Sequence, residues 1–374
     1  MTAIGAHQQS VAPGAKSRWW LTAPLVVYVV FRIVTIAVVA AASPHTVAGG
    51  LSGWDGKWFI DGAVHGWPRH LPMVDGHVAA NPIAFFPLLP LVMMGGARLG
   101  LGAQGVGLVV SLLAGAVAVV GVGSLAREMT DEVRGRRAAL LFALFPGSFV
   151  FSFIYAEGIL ISAIAFGLIA LMRRRWLLAG ILGILASASS PVGFAFALSC
   201  ALGSLLAIRR DRAFASLVAP VLAPLGGLAW LGFLWLHTGQ INAWRMTERG
   251  GWQSYPSLRY PFHIAAQFLF DPARPTLTGQ ILFFGTVAGV IGVVLAVKER
   301  QPGIVLLYAI AALSLAMIAA PVGLRPRFLL VAFPLIIAAG TRYSGKVFAG
   351  IAVAFGAGLC AMTFLTVFSN AVFP

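Results

Sequence analysis

The chain of 374 residues is 59% hydrophobic and only 10% charged, with a mean hydropathy of +0.91. Soluble globular chains carry about 25% charged residues, so this composition excludes a water-soluble fold. The net charge of +15 sits in short tracts between apolar segments (Arg127/Arg134/Arg136/Arg137, Arg173/Arg174/Arg175, Arg209/Arg210/Arg212, Lys298/Arg300 and Arg342/Lys346). That is the pattern of cytoplasmic loops in membrane proteins and points away from nucleic acid as a partner.

In chain order, the first span is expected at 19–43, behind Lys16 and Arg18. A secretory signal has an apolar region of roughly 7–15 residues; this stretch is longer, so a retained helix with a cytoplasmic N-terminus is expected. The polar, Gly/His/Trp-rich stretch 44–82 cannot span, and at roughly 40 residues it exceeds a simple connector; long loops commonly carry function. Segment 83–99 is apolar but contains Pro87 and Pro90. Proline removes a helix hydrogen bond and clashes with the preceding turn, so an interfacial or re-entrant piece is expected there.

A span at 104–126 returns the chain to the Arg127–Arg137 tract. Two pairs of short helices follow, turning at FPGSF…YAEG and at SSPVG, then a span at 214–236 and a second polar loop, 237–278. Spans at 279–297, 303–321, 328–341 and 347–369 complete the chain. The expectation is an all-α polytopic membrane protein, one domain over 1–374, with about 11 transmembrane helices and a long first extracytoplasmic loop, 44–99. In this arrangement sixteen of the 26 Lys and Arg lie inside and nine outside, with Arg32 inside the first helix. Counting 83–99 as a span would put the arginine tracts outside and reverse the charge rule.

The acids in or beside the outer segments are Asp55, Asp61, Asp75, Glu157, Glu248 and Asp271. Asp55 stands in Trp54-Asp55-Gly56-Lys57-Trp58-Phe59, where tryptophans suit the membrane interface and a carboxylate would meet a lipid's polar head. On a helix Trp54 and Trp58 would share a face. A plain aromatic belt with a solvated aspartate accounts for the same pattern. Arg325-Pro326-Arg327-Phe328 places two arginines at the mouth of a span, and guanidinium forks suit phosphate oxygens; snorkelling to headgroups is the bland alternative. Tyr155-Ala156-Glu157 forms a tight turn in which the glutamate is either a structural cap or a site residue.

Six of seven histidines (His45, His65, His70, His77, His237 and His263) fall in outer segments without a metal-binding spacing, so no metal is expected. The two cysteines, Cys200 and Cys360, lie in apolar segments and suggest neither a disulfide framework nor a metal site. No GxSxG, Walker A or dinucleotide fingerprint occurs, which leaves serine hydrolases, nucleotide-driven pumps and dinucleotide enzymes without support.

The blocks WDGKWFIDGAVHGW, AFFPLLPL, FPGSFVFSFIYAEGILI and RPRFLLVAFPL occur in an order that resembles the GPI mannosyltransferase II (phosphatidylinositol-glycan class V) family and its bacterial relatives, within the GT-C superfamily of membrane glycosyltransferases. The likeness runs from about 19 to 341. It implies a GT-C-like bundle, an inverting mannosyltransferase and a polyprenyl-phosphate-mannose donor. It implies a lipid, glycan or protein acceptor, an active site facing away from the cytoplasm at the plasma membrane, and no cofactor. By the same resemblance Asp55 is the catalytic base and Arg327 contacts the lipid phosphate. A single-displacement mechanism adds Arg325 to the phosphate clamp, has Glu157, Tyr155 and Lys57 orient the sugar or support Asp55, and leaves Trp54 as a further substrate-binding candidate. Ala156 stands where relatives often have serine, and GAVHGW replaces the usual IA…GY, which bears on the acceptor. Another polyprenyl-phosphate sugar such as arabinose is the chemical variant. A transporter of lipid-linked sugars is the alternative class; it would place its polar residues at the midplane, where this sequence offers chiefly Arg32.

Overall fold

The computed structural model describes residues 20–42, 46–270 and 276–369. Lys16, Arg18, His45 and Asp271 lie outside them. Helix α1 (Thr22–Ala42) is followed by α2 (Val47–Leu51), whose first turn is capped by the Thr46 hydroxyl accepting from the Gly49 amide at 3.0 Å, and by α3 (Gly56–His65). A two-residue hairpin pairs β1 (Met73–Val74) with β2 (His77–Val78). The proline-broken segment forms a 3₁₀ turn at Pro82–Ala84 and α4 (Leu88–Arg98). At 1.5 Å per residue α4 is about 16 Å long, far short of a ~30 Å hydrocarbon core, so it does not cross alone.

Helix α5 (Ala103–Met129) is the longest apolar element. Helix α6 (Glu132–Leu144) starts at Asp131, whose carboxylate accepts from the Arg134 amide at 2.8 Å. A 3₁₀ segment, Pro146–Ser152, then meets α7 (Glu157–Met172) at a 113° bend, so FPGSF and YAEG form one turn. Helices α8 (Trp176–Ser189) and α9 (Gly193–Asp211) make the next pair. The span expected at 214–236 is broken by 43° between 214–222, which includes α10 (Val218–Leu222), and α11 (Leu225–Thr238).

The second polar stretch carries α12 (Ala243–Gly251), β3 (Tyr255–Pro256) and α13 (Tyr260–Phe270). Helices α14 (Leu277–Lys298) and α15 (Gly303–Ile318) lead to β4 (Ala319–Ala320), which pairs with β3. The last expected spans appear as α16 (Pro326–Val331) with α17 (Pro334–Arg342), divided at Phe333-Pro334, and α18 (Gly345–Phe368).

Among the described residues five helices (α1, α5, α9, α14 and α18) are individually long and apolar enough to cross a membrane, or up to seven with the two bent pairs. The remaining expected spans are shorter helices packed among them. The core lies where α5, α6, α7 and α17 meet, around fully buried Phe142, Phe149, Phe151 and Phe333. Hydroxyls tie neighbours together: Ser162 donates to the Ala114 carbonyl at 3.0 Å, and Tyr308 to the Val331 carbonyl at 2.8 Å. With lipid as apolar as the side chains, such close packing and interhelical hydrogen bonds, rather than burial from water, hold helices together.

Candidate active site

Asp55 is positioned by a sharp turn. Trp54 has φ 58, in the left-handed region that bulky residues rarely adopt, and α3 starts directly after it. The Trp54 indole donates to the Thr366 carbonyl of α18 at 3.3 Å and packs on the core, which holds the turn. An aspartate at this position ordinarily caps its own helix by accepting from the first-turn amides. Here it makes no such bond. Its carboxylate accepts instead from Arg327 Nη1 at 2.5 Å.

Arg327 is the second residue of α16, behind Pro326, whose fixed φ suits a first helical position. Its guanidinium carbon lies 5.3 Å from the Tyr155 ring centre and 4.5 Å from that of Phe328. The side chains of Arg327 and Asp55 are 13% and 22% exposed, so the pair is shielded yet within reach of a ligand. Burial pushes the guanidinium pKa down, but Asp55, Tyr155 and Glu157 together outweigh it and hold it well above the ordinary value. Arg325, beside it, is pushed down to about 10, first by burial and then by the Arg327 charge.

The FPGSF block supports α16 from behind. Gly147 lies against the backbone of Pro326 and Arg327 so closely that a Cβ would overlap the Pro326 carbonyl. The 3₁₀ segment is itself braced by Arg32, buried in α1, which donates to the Ser148 carbonyl. Arg32 therefore has a structural partner, which accounts for an arginine inside an apolar helix.

Tyr155 is fixed through its backbone. The Ser111 hydroxyl of α5 donates to the Tyr155 carbonyl and accepts from its amide, both at 3.2 Å. The Tyr155 hydroxyl is buried against the Asp55 backbone without an ordinary hydrogen bond among the described residues. Glu157 opens α7, and its charge acts on both Asp55 and Arg327. The structure thus brings Asp55, Tyr155, Glu157, Arg325 and Arg327 together.

Lys57 is not part of that group: it is exposed, with its ammonium 5.0 Å from the Trp58 ring centre. Trp54 and Trp58 do not share a helix face, because α3 begins after Trp54. The half-buried tryptophans Trp58 and Trp67 also make ring contacts within the protein. Trp58 meets Trp252 edge-on at 5.6 Å, and Trp67 meets Trp230 at 4.9 Å.

Glu248 was legible in sequence only as one more acid in a polar loop. Helix α12 folds it back toward the pair: burial, then the Asp55 charge, pushes its pKa up to about 7, with Arg327 opposing. Burial thus favours its neutral form over the charged one. Among the described residues no group of three or more His, Cys, Asp or Glu side chains converges as a metal site would require.

No protein-family model matches the chain. No curated protein matches it in sequence either. Solved structures share its fold. ArnT from Cupriavidus metallidurans bound to undecaprenyl phosphate superposes with a TM-score of 0.54 at 16% identity, covering 90% of this chain and 63% of that one. The Archaeoglobus fulgidus oligosaccharyltransferase in its apo form gives 0.55 at 16% identity, covering 94% and 56%. The same organism's AglB, in complex with an inhibitory peptide and a dolichol-phosphate, gives 0.51 at 14% identity, again covering 94% and 56%. The chain shares the helical fold of these solved structures and spans roughly 60% of their length.

Proposed function

We propose that this protein is an inverting glycosyltransferase that moves mannose from a polyprenyl-phosphate donor to an acceptor hydroxyl. The observation that carries the reading is the half-buried Asp55–Arg327 pair, a candidate base held against a candidate phosphate clamp. Two structures of the same fold hold undecaprenyl phosphate and a dolichol-phosphate, which supports a lipid-phosphate donor. Mannose rests on the sequence resemblance to the GPI mannosyltransferase II family.

The lipid phosphate is already a leaving group, so the reaction needs a base for the acceptor proton and positive charge for the departing phosphate. In the free protein the Asp55 carboxylate is occupied by the Arg327 guanidinium rather than open to an acceptor hydroxyl. Donor binding resolves this conflict. The donor phosphate takes the Arg327 guanidinium, and the Asp55 carboxylate is released toward the acceptor. Asp55 then removes the acceptor proton while the acceptor oxygen attacks the anomeric carbon, and the bond from that carbon to the phosphate oxygen breaks. Arg327, assisted by Arg325, holds the charge left on the polyprenyl phosphate. Glu157 and Tyr155 keep Arg327 aimed, Trp54 fixes the turn that presents Asp55, and Lys57 contacts substrate from the exposed side of α3. Glu248, whose burial favours the neutral carboxyl, can donate a hydrogen bond there when protonated.

The site would face away from the cytoplasm at the plasma membrane, with the N-terminus inside and 1–374 acting as one transmembrane domain. Purified protein in nanodiscs, given radiolabelled polyprenyl-phosphate mannose and a membrane extract, should move label into an acceptor with inversion at the anomeric carbon. The same label supplied as polyprenyl-phosphate arabinose should stay on the donor. The reverse preference would overturn the choice of sugar, and retention of configuration would overturn the single displacement.

A further inference from the structure

Beside the reaction centre lies a second basic site. Arg245 and Arg249, one turn apart on α12 and so on one face, line a cavity of about 430 Å³ with Gln253, Tyr255 and Pro256. Both arginines are exposed. Neither has a carboxylate partner among the described residues. The volume falls in the range of small-molecule sites and exceeds what a bare inorganic ion needs.

The walls are anchored. The Trp244 indole donates to the Ala84 carbonyl at 3.2 Å, and Asn81 donates to the Thr247 hydroxyl at 3.4 Å, so α12 is fixed to the first loop. On the other side Tyr255–Pro256 pairs with Ala319–Ala320, the Ser257 amide donates to the Ile318 carbonyl at 2.7 Å, and the Tyr260 hydroxyl donates to the Pro321 carbonyl at 2.7 Å. The β4 strand leads through the turn at 321–324 to Arg325 and Arg327. Glu248 sits between the two cavity arginines in sequence and acts electrostatically on Asp55 and Arg327. Trp252, directly after α12, meets Trp58 in the first turn of α3 edge-on at 5.6 Å, so the cavity's helix packs beside the segment that carries Asp55.

We infer that this cavity is the acceptor subsite and that it takes an acceptor bearing a phosphate ester, whose sugar or polyol hydroxyl then reaches Asp55. The inference rests on the transferase reading for the word acceptor, while the anion site stands on its own geometry. Two guanidinium forks on one face match phosphate oxygens, and Gln253 with the Tyr255 hydroxyl offers hydrogen bonds to the polyol the phosphate carries. The donor phosphate is claimed by Arg327, so a second phosphate-binding pair serves the other substrate.

The test is direct binding, independent of transfer. Purified full-length protein in neutral detergent is titrated with glycerol 1-phosphate, a soluble ester, and with dihexanoyl phosphatidylglycerol, the same chemistry as a lipid headgroup. Wild type, R245Q/R249Q and R245K/R249K are compared, with R209Q/R210Q as a control for net charge. Elution volume and thermal unfolding confirm that each variant is folded. Wild type should bind at least one probe at least tenfold more tightly than R245Q/R249Q, more weakly as salt rises, with the lysine pair intermediate and R209Q/R210Q unchanged. Binding of the soluble ester would place recognition in the phosphate alone; binding of the lipid only would place it in a membrane headgroup. No binding by wild type, or equal binding by wild type and R245Q/R249Q, overturns the inference. A transferase reading that failed while this binding held would leave the anion site intact, so the two failures are distinguishable.

Discussion

Arg327 donates to the Asp55 carboxylate at 2.5 Å across 272 positions of sequence, and both side chains are largely withdrawn from solvent. Removing one partner of such a pair leaves the other charge uncompensated. Arg327→Gln should therefore weaken donor binding and lower the transfer rate by about 10²–10³, the usual cost of losing one preorganised donor to developing negative charge. Arg327→Lys keeps the charge but not the fork and should fall between. Donor dissociation constants and kcat for the three proteins check this; a loss under tenfold in Arg327→Gln with donor affinity unchanged would contradict it.

Glu248 gives a pH signature. Its pKa in the folded protein is about 7, against 4.5 for an ordinary glutamate. The folded state therefore favours the protonated form, and that contribution to stability is complete below about 4.5 and lost as pH rises through about 7. Thermal midpoints of wild type should decline across pH 5 to 7.5 more steeply than those of Glu248→Gln, whose side chain does not titrate. Parallel curves would mean that Glu248 is not buried against the Asp55–Arg327 pair.

Gly147 tests the support behind α16. A methyl group there would overlap the Pro326 carbonyl and press on the Arg327 backbone. Gly147→Ala should cost about 1–3 kcal/mol of stability, as overpacking does, and should lower donor affinity because Arg327 moves with its backbone. Gly239→Ala, at a left-handed helix end where an added Cβ meets open space, supplies the comparison: stability should fall while donor affinity holds. Equal donor affinity in wild type and Gly147→Ala would contradict the coupling.

The sequence exposes the order of apolar segments, and the helices follow it from α1 to α18, with the proline-broken 83–99 stretch resolved into a turn and a short helix. It also exposes Asp55, Arg325, Arg327, Tyr155 and Glu157 as candidates at the ends of apolar segments, and the fold brings them together. What it does not expose is set by long-range return of the chain. The period of 3.6 residues suggested a shared face for Trp54 and Trp58, but the left-handed turn at Trp54 delays the helix by two residues. Arg32 was an isolated charge until Ser148 of the 3₁₀ segment came back to it. Glu248 carried no local signal, because its neighbourhood depends on Asn81 and Ala84 gripping α12 from the first loop.

The central claim is that Asp55 takes the acceptor proton once the donor phosphate has drawn Arg327 away. The most direct measurement follows single-turnover transfer of labelled mannose by wild type and Asp55→Asn, with donor binding measured on the same preparations. The account predicts donor affinity preserved or tightened in Asp55→Asn, since Arg327 no longer has a carboxylate to leave, and a transfer rate lower by about 10²–10⁴. Transfer within tenfold of wild type, or a loss explained wholly by weaker donor binding, would contradict it.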